Sequence, residues 1–88
     1  MEQKTDKELI TEYIRGNEEA FKELVSRHMG NVYKFTYRYF NDRDKADDAT
    51  QETFVKAWKN IKRFDTERKF ITWLFAIAKN TCLDIIKK

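Results

Sequence analysis

The sequence predicts an all-α fold: a compact bundle of three long helices plus one short N-terminal helix. Three observations carry that expectation. Proline is absent and glycine occurs twice in 88 residues, whereas strand-rich folds need both at their turns. Apolar side chains recur at three- and four-residue spacing over long stretches, the period of a helix with one buried face. Capping residues stand where those stretches begin.

The elements follow in order. The first helix opens at Thr5, with Glu8 three residues later at capping-box spacing. Leu9, Ile10, Tyr13 and Ile14 form its apolar edge, and Gly16 stops it. Asn17 caps the second helix, whose stripe is Phe21, Leu24, Val25, His28, Val32, Phe35 and Tyr39. Gly30 lies inside it and suggests close packing or a slight bend, at a cost of about 1 kcal/mol against alanine. Asn41 and Asp42 end it, and the third helix begins near Asp42 or Asp44. Its expected buried stripe is Ala46, Ala49, Thr50, Phe54, Ala57, Trp58 and Ile61. Lys62 to Arg68 is polar and aperiodic and reads as a loop. The fourth helix runs from about Lys69 to the end at Lys88, burying Phe70, Trp73, Leu74, Ile77, Ala78, Thr81 and Ile85. At 1.5 Å per residue the long helices span about 25–35 Å each and bury their stripes together.

Length and composition narrow the function. A chain of 88 residues makes one domain, 1–88, with a small core that buries about 60–65% of the unfolded surface. Hydrophobic residues at 41% and charged residues at 38% suit a soluble compact fold rather than disorder. No apolar run approaches the roughly 20 residues of a membrane span, and MEQKTDKELI holds no apolar signal core. One cysteine, Cys82, rules out an internal disulfide and fits a reducing cytoplasm. One histidine and one cysteine do not make a conventional zinc site.

The net charge of +3 conceals a polarity. Residues 1–55 carry 9 basic and 12 acidic side chains, net −3, and residues 56–88 carry 9 and 3, net +6. Asp44, Asp48 and Glu52 form a column at i, i+4 and i+8 on the third helix, flanked by Asp47 and Gln51. The helix dipole accounts for the acids of the first turns but not for Glu52, two turns in. A basic partner surface would relieve their mutual repulsion. Two further apolar lines, Tyr33–Tyr37–Phe40 and Ile71–Phe75–Cys82–Ile86, are wider than one packing stripe needs. They are either additional core or a protein-binding face.

Around the last turn Lys56, Lys59, Lys62, Arg63, Arg68 and Lys69 gather, with Phe64 in their midst and Asn60 and Asn80 on either side. Cations track phosphates, an aromatic ring packs a base, and an amide reads a base edge, so the set suits single-stranded nucleic acid. The residues alone equally allow Phe64 to fold back as a lid on the core and Asn80 to be an ordinary exposed residue.

DKADDATQETFVKAW followed by FITWLFAIAKNTCLDIIKK closely resembles domain 2 of the extracytoplasmic-function sigma factors of bacterial RNA polymerase. Ala46, Asp48, Gln51, Glu52, Phe54, Lys56, Ala57 and Trp58 carry the first half of the pattern. Phe70, Thr72, Trp73, Leu74, Ile77, Ala78, Asn80 and Asp84 carry the second, and AFKELVSRHMGNVYKFTYRY looks like the family's long opening helix. The resemblance implies docking on the β′ clamp helices of the RNA polymerase core through Asp48, Gln51 and Glu52, with Asp47 a weaker member. It implies capture of a base from the non-template strand of the promoter −10 element by the loop from about Asn60 to Arg68. Phe64 then takes the family's aromatic position, Asn80 its base-reading amide, and Lys56 a phosphate or base contact. The implied interface comprises Lys56, Lys59, Asn60, Ile61, Lys62, Arg63, Phe64, Asp65, Arg68, Lys69 and Asn80. An anti-sigma factor is the further implied partner and the cytoplasm the implied location, and the resemblance implies no enzyme activity, catalytic residue, cofactor or small-molecule substrate. The pattern departs at Ala76, where the family usually carries a basic residue, and at Lys45, where it carries an acid. The resemblance further implies a second domain, reading the −35 element, that this chain does not include.

Overall fold

A computed structural model describes residues 3–87. Its elements are α1 (Asp6–Ile14), α2 (Glu18–Phe40), α3 (Arg43–Asn60), a single 3-10 turn (Ile61–Arg63) and α4 (Phe70–Lys87). The all-α bundle is the expected one. The expected last residue of the fourth helix, Lys88, lies outside the described residues.

The boundaries come from local chemistry. Thr5 and Glu8 close a reciprocal capping box at 3.1 and 3.2 Å. Gly16, at φ +112°, takes the left-handed turn that lets the chain leave α1. Asn17 then caps α2 by accepting from the Glu19 amide at 3.2 Å. The α2–α3 joint is two residues long. Asn41 adopts φ 51° and ends α2 in the left-handed conformation, and Asp42 accepts from the Lys45 amide at 3.1 Å to start α3. So short a joint leaves α2 and α3 no arrangement but side by side.

α3 packs against both α2 and α4, while α1 lies along α2. The centre is made of Ile10, Leu24, Val32, Leu74 and Ile61, with the small residues Ala46, Ala49, Thr53 and Ala57 of α3 between them. The small face lets its neighbours approach closely. One polar link crosses it: the buried Thr36 hydroxyl lies 3.0 Å from the Thr50 hydroxyl and 3.1 Å from the Ala46 carbonyl. No buried side-chain nitrogen or oxygen among the described residues lacks a partner, which the cost of an unmet buried donor demands.

α1 is held by an ionic clamp. Asp6 accepts from Arg27 Nη1 at 3.0 Å and lies 2.9 Å from His28 Nε2. His28 is itself buried against Phe70, ring centroids 5.4 Å apart. Cys82 is fully buried, and burial pushes its thiol up.

Three stripe expectations are corrected, the first at Ile14 of α1, which is 46% exposed. Trp58, expected in the core, is 51% exposed, and Tyr39 is 36% exposed. Both sit at the margin of their stripe, where helix curvature and partner position decide burial. On α3, Thr53 is buried where Trp58 is not. Nor does Gly30 serve close packing: a Cβ there meets nothing within 4 Å. Gly30→Ala is therefore expected to stabilise the domain by about 0.5–1 kcal/mol, read as a higher urea midpoint with an unchanged slope.

Candidate nucleic-acid and partner interface

The corner between α3 and α4 is built from the inside. The 3-10 turn buries Ile61 and delivers Phe64 to the core, 8% exposed. The Phe64 ring stands edge-on to Phe70 at 5.7 Å and tilted against Trp73 at 4.9 Å. Ile61 and Phe64, both expected at the interface, are thus buried in this structure. In this conformation neither side chain is presented to a base, because packing on Phe70 and Trp73 removes their apolar surface from water. Phe64 as a lid, the alternative that the residues alone left open, is the observed arrangement.

The rest of the loop is a polar turn. Asp65 accepts from the Glu67 amide at 3.0 Å, and the Arg68 amide donates to the Asp65 carbonyl at 3.0 Å. Asp65 thus shapes the loop. Glu67 ties it to α1 through Lys7 at 3.0 Å. Arg68 is exposed, with Nε 3.8 Å from an Asp65 oxygen.

The cations form two groups. Arg68 and Lys69 line a hollow of about 520 Å³ with Thr72, Trp73 and Ala76. Lys59 and Lys62 line a separate one of about 320 Å³ with Tyr13, Trp58 and Ile61. Lys59, Lys62, Arg63 and Lys69 are exposed and make no ion pair among the described residues. Lys56 is partly engaged: it donates to the Thr81 hydroxyl at 3.0 Å and lies 3.8 Å from Asp84, bridging α3 to α4. Asn60 spends a donor on the Lys56 carbonyl at 2.8 Å. Asn80 is exposed, and by helical spacing it shares a face with Trp73 and Ala76, one turn beyond the hollow they line.

On α3, Asp44, Asp47, Asp48, Gln51 and Glu52 are all exposed. Val55 and Trp58, 47% and 51% exposed, continue the same face toward the C-terminal end. The acidic face and the α4 hollow therefore share no residue. Sequence reasoning did not anticipate Thr72, Trp73 and Ala76 as a wall. Their i, i+1 and i+4 positions on the flank opposite Leu74 and Ala78 were the available signal.

Comparison with known proteins gives this geometry a family. The family model for Sigma-70 region 2 matches residues 24–88. The chain belongs to this family. This region 2 domain is 38% identical over 82 residues to the ECF RNA polymerase sigma factor SigW of Bacillus subtilis, covering 93% of this chain and 44% of SigW. It is 41% identical over 80 residues to the ECF RNA polymerase sigma-E factor of Haemophilus influenzae, covering 91% of this chain and 42% of that protein. The chain thus spans less than half the length of these curated relatives. Among solved structures it is similar to an engineered region 2 of sigmaE in complex with GTAAAA. That match has a TM-score of 0.90 and 38% identity, and covers 98% of this chain and 90% of the other. It is also similar to CnrH in complex with the cytosolic domain of CnrY, at TM-score 0.76 and 39% identity, covering 90% of this chain and 51% of CnrH. Among the described residues no helix is long and apolar enough to cross a membrane.

The burial of Phe64 sets an expectation. Phe64→Ala should cost about 3–5 kcal/mol, as aromatic truncations in cores do. Arg63→Ala, its exposed neighbour, should stay within about 0.5 kcal/mol. Urea unfolding followed by circular dichroism reads both.

Proposed function

We propose that this region 2 domain captures unpaired promoter −10 DNA on its α4 side and docks on the RNA polymerase core through the acidic face of α3. The observation that carries the reading is the likeness, over 98% of the chain, to a region 2 whose solved complex contains GTAAAA. The free cations at the α3–α4 corner and the amide of Asn80 on α4 are the groups such a strand needs. The domain supplies binding energy and carries out no chemistry of its own. Holding an unpaired strand offsets the few kcal/mol lost when bases unstack and unpair. Polymerase docking places the domain in the cytoplasm.

Ile61 and Phe64 act in this reading by holding the loop, and Asp65 by shaping its turn. Lys56, Lys59, Asn60, Lys62, Arg63, Arg68, Lys69 and Asn80 remain the residues available to the strand. Asp47, Asp48, Gln51 and Glu52 remain those available to the β′ clamp helices. A partner of the anti-sigma kind, as the neighbour bound to CnrY suggests, would compete for the exposed apolar residues Val55 and Trp58 beside that acidic face.

Fluorescence anisotropy with a single-stranded −10 oligonucleotide and its duplex, at matched salt, tests the DNA half. The single strand should bind more tightly; equal affinity for any duplex removes the reading. Lys62→Ala should weaken all strands alike and lower the log–log salt slope by about 0.7, whereas Asn80→Ala should weaken binding in a sequence-dependent way. The docking half is separable. Asp48→Lys should lose capture of the β′ clamp helices in a pull-down while oligonucleotide affinity does not fall, and retained capture would remove the polymerase contact.

A further inference from the structure

The apolar line Ile71–Phe75–Cys82–Ile86 is divided by the fold. Cys82 enters the core, Ile86 is 54% exposed, and Ile71 and Phe75 stay half-buried. With Asn31, Lys34, Phe35 and Arg38 of α2 they line a groove of about 350 Å³ between α2 and α4. Its floor is apolar and ordered: Phe35 stacks on Phe75 at 5.1 Å, and Tyr39 leans on Phe35 at 5.5 Å. Rings already fixed in place lose little conformational freedom when an apolar side chain settles on them.

The rim is cationic and has no counter-charge. Lys34 and Arg38 are exposed and make no ion pair among the described residues. They stand four apart on α2, about 6 Å along its axis, where like charges repel. Arg38 lies in the last turn of α2 and gains from the helix dipole, whereas Lys34, a turn earlier, does not. Neither wall supplies a carboxylate, since residues 24–41 and 68–83 contain no Asp or Glu. The hollow of about 530 Å³ between α1 and α2 differs in holding its own counter-ions, with Lys4 on Glu12 and Arg27 on Asp6.

We propose that the α2–α4 groove docks an acidic amphipathic helix of a partner protein. Apolar side chains three and four apart on that helix fill the floor over Phe35, Ile71 and Phe75, as anchors do when a helix lies in a groove. Carboxylates four apart on its flank repeat at the same spacing of about 6 Å as Lys34 and Arg38. The Asn31 amide, at the end of the row, both donates and accepts. A nucleic-acid backbone would use the cations and leave the floor empty, so the apolar half of the groove favours the helix. The groove shares no residue with the acidic face of α3 or with the residues available to the promoter strand, and the proposal stands apart from both of those readings.

Fluorescence anisotropy of a labelled synthetic peptide repeating LEELLEE tests it on the whole chain. The peptide should bind saturably. Repeats of SEESSEE keep the charge without the apolar face, and repeats of LQQLLQQ keep the apolar face without the charge. Each should bind at least about tenfold more weakly. Lys34→Glu combined with Arg38→Glu should weaken LEELLEE by a similar factor and gain affinity for LKKLLKK. Arg15→Glu combined with Lys22→Glu makes the same change in net charge at the end of α1 and the start of α2, and should bind LEELLEE like the parent. All four substitutions fall on exposed side chains, and thermal melts confirm that both variants fold. SEESSEE binding as tightly as LEELLEE, or LEELLEE binding unchanged by the Lys34 and Arg38 reversal, overturns the proposal, as does absence of binding. Should that reversal weaken single-stranded GTAAAA as much as the peptide, relative to the Arg15 and Lys22 variant, the groove belongs to nucleic acid and the helix site falls.

Discussion

Phe64 turns away from solvent at the point where the chain passes from α3 to α4, and packs on Phe70 and Trp73. Through that contact an otherwise polar segment acquires one conformation. Residues 65–69 contribute little buried apolar surface of their own, so their backbone ordering must be offset by the anchors at either end. With Phe64 seated, the Asp65 turn closes and Arg68 and Lys69 are delivered to the rim of the α4 hollow. The same contact holds Trp73 from behind. A hydrophobic interaction inside the fold therefore positions the charged and aromatic groups outside it.

The second organising constraint is the two-residue joint between α2 and α3. It makes the two helices antiparallel neighbours and pins the register in which Thr36 meets Ala46 and Thr50. With α3 buried along its small-residue face, its acids point outward as one continuous surface, while α4 presents a separate aromatic and cationic one. Opposite charges are kept on different faces, and each surface attracts a partner of opposite sign without drawing the other. Lys56 is the exception. It spans the two helices through Thr81 and Asp84, with part of its capacity already satisfied inside the protein.

Much of this was legible in the residues. Thr5–Glu8, Gly16–Asn17 and Asn41–Asp42 are local signals that need no tertiary context, and the start of α1 and the α1–α2 and α2–α3 joints fall on them. The acidic column follows from helical spacing alone. The readings that changed all concern residues whose burial depends on a neighbour distant in sequence. Trp58 has the period of a core residue and sits outside, because the partner helices lie nearer Phe54 and Ala57. Phe64 sits among cations in the sequence and is buried, because a one-turn 3-10 segment rotates it inward. The Asp6–Arg27–His28 clamp joins residues more than twenty apart and has no short-range signature.

The sequence by itself determined the helices, their order, their ends, the segregation of charge and the family pattern, since caps, periodicity and side-chain charge act over a few residues. Only the tertiary structure decided which aromatic ring is spent on the core and which is offered to solvent. Phe64 and Trp73 are both large and apolar, and helical period cannot rank them. The distinction arises from how α1, α3 and α4 close over the corner, a many-body packing condition that no local stretch of the chain contains.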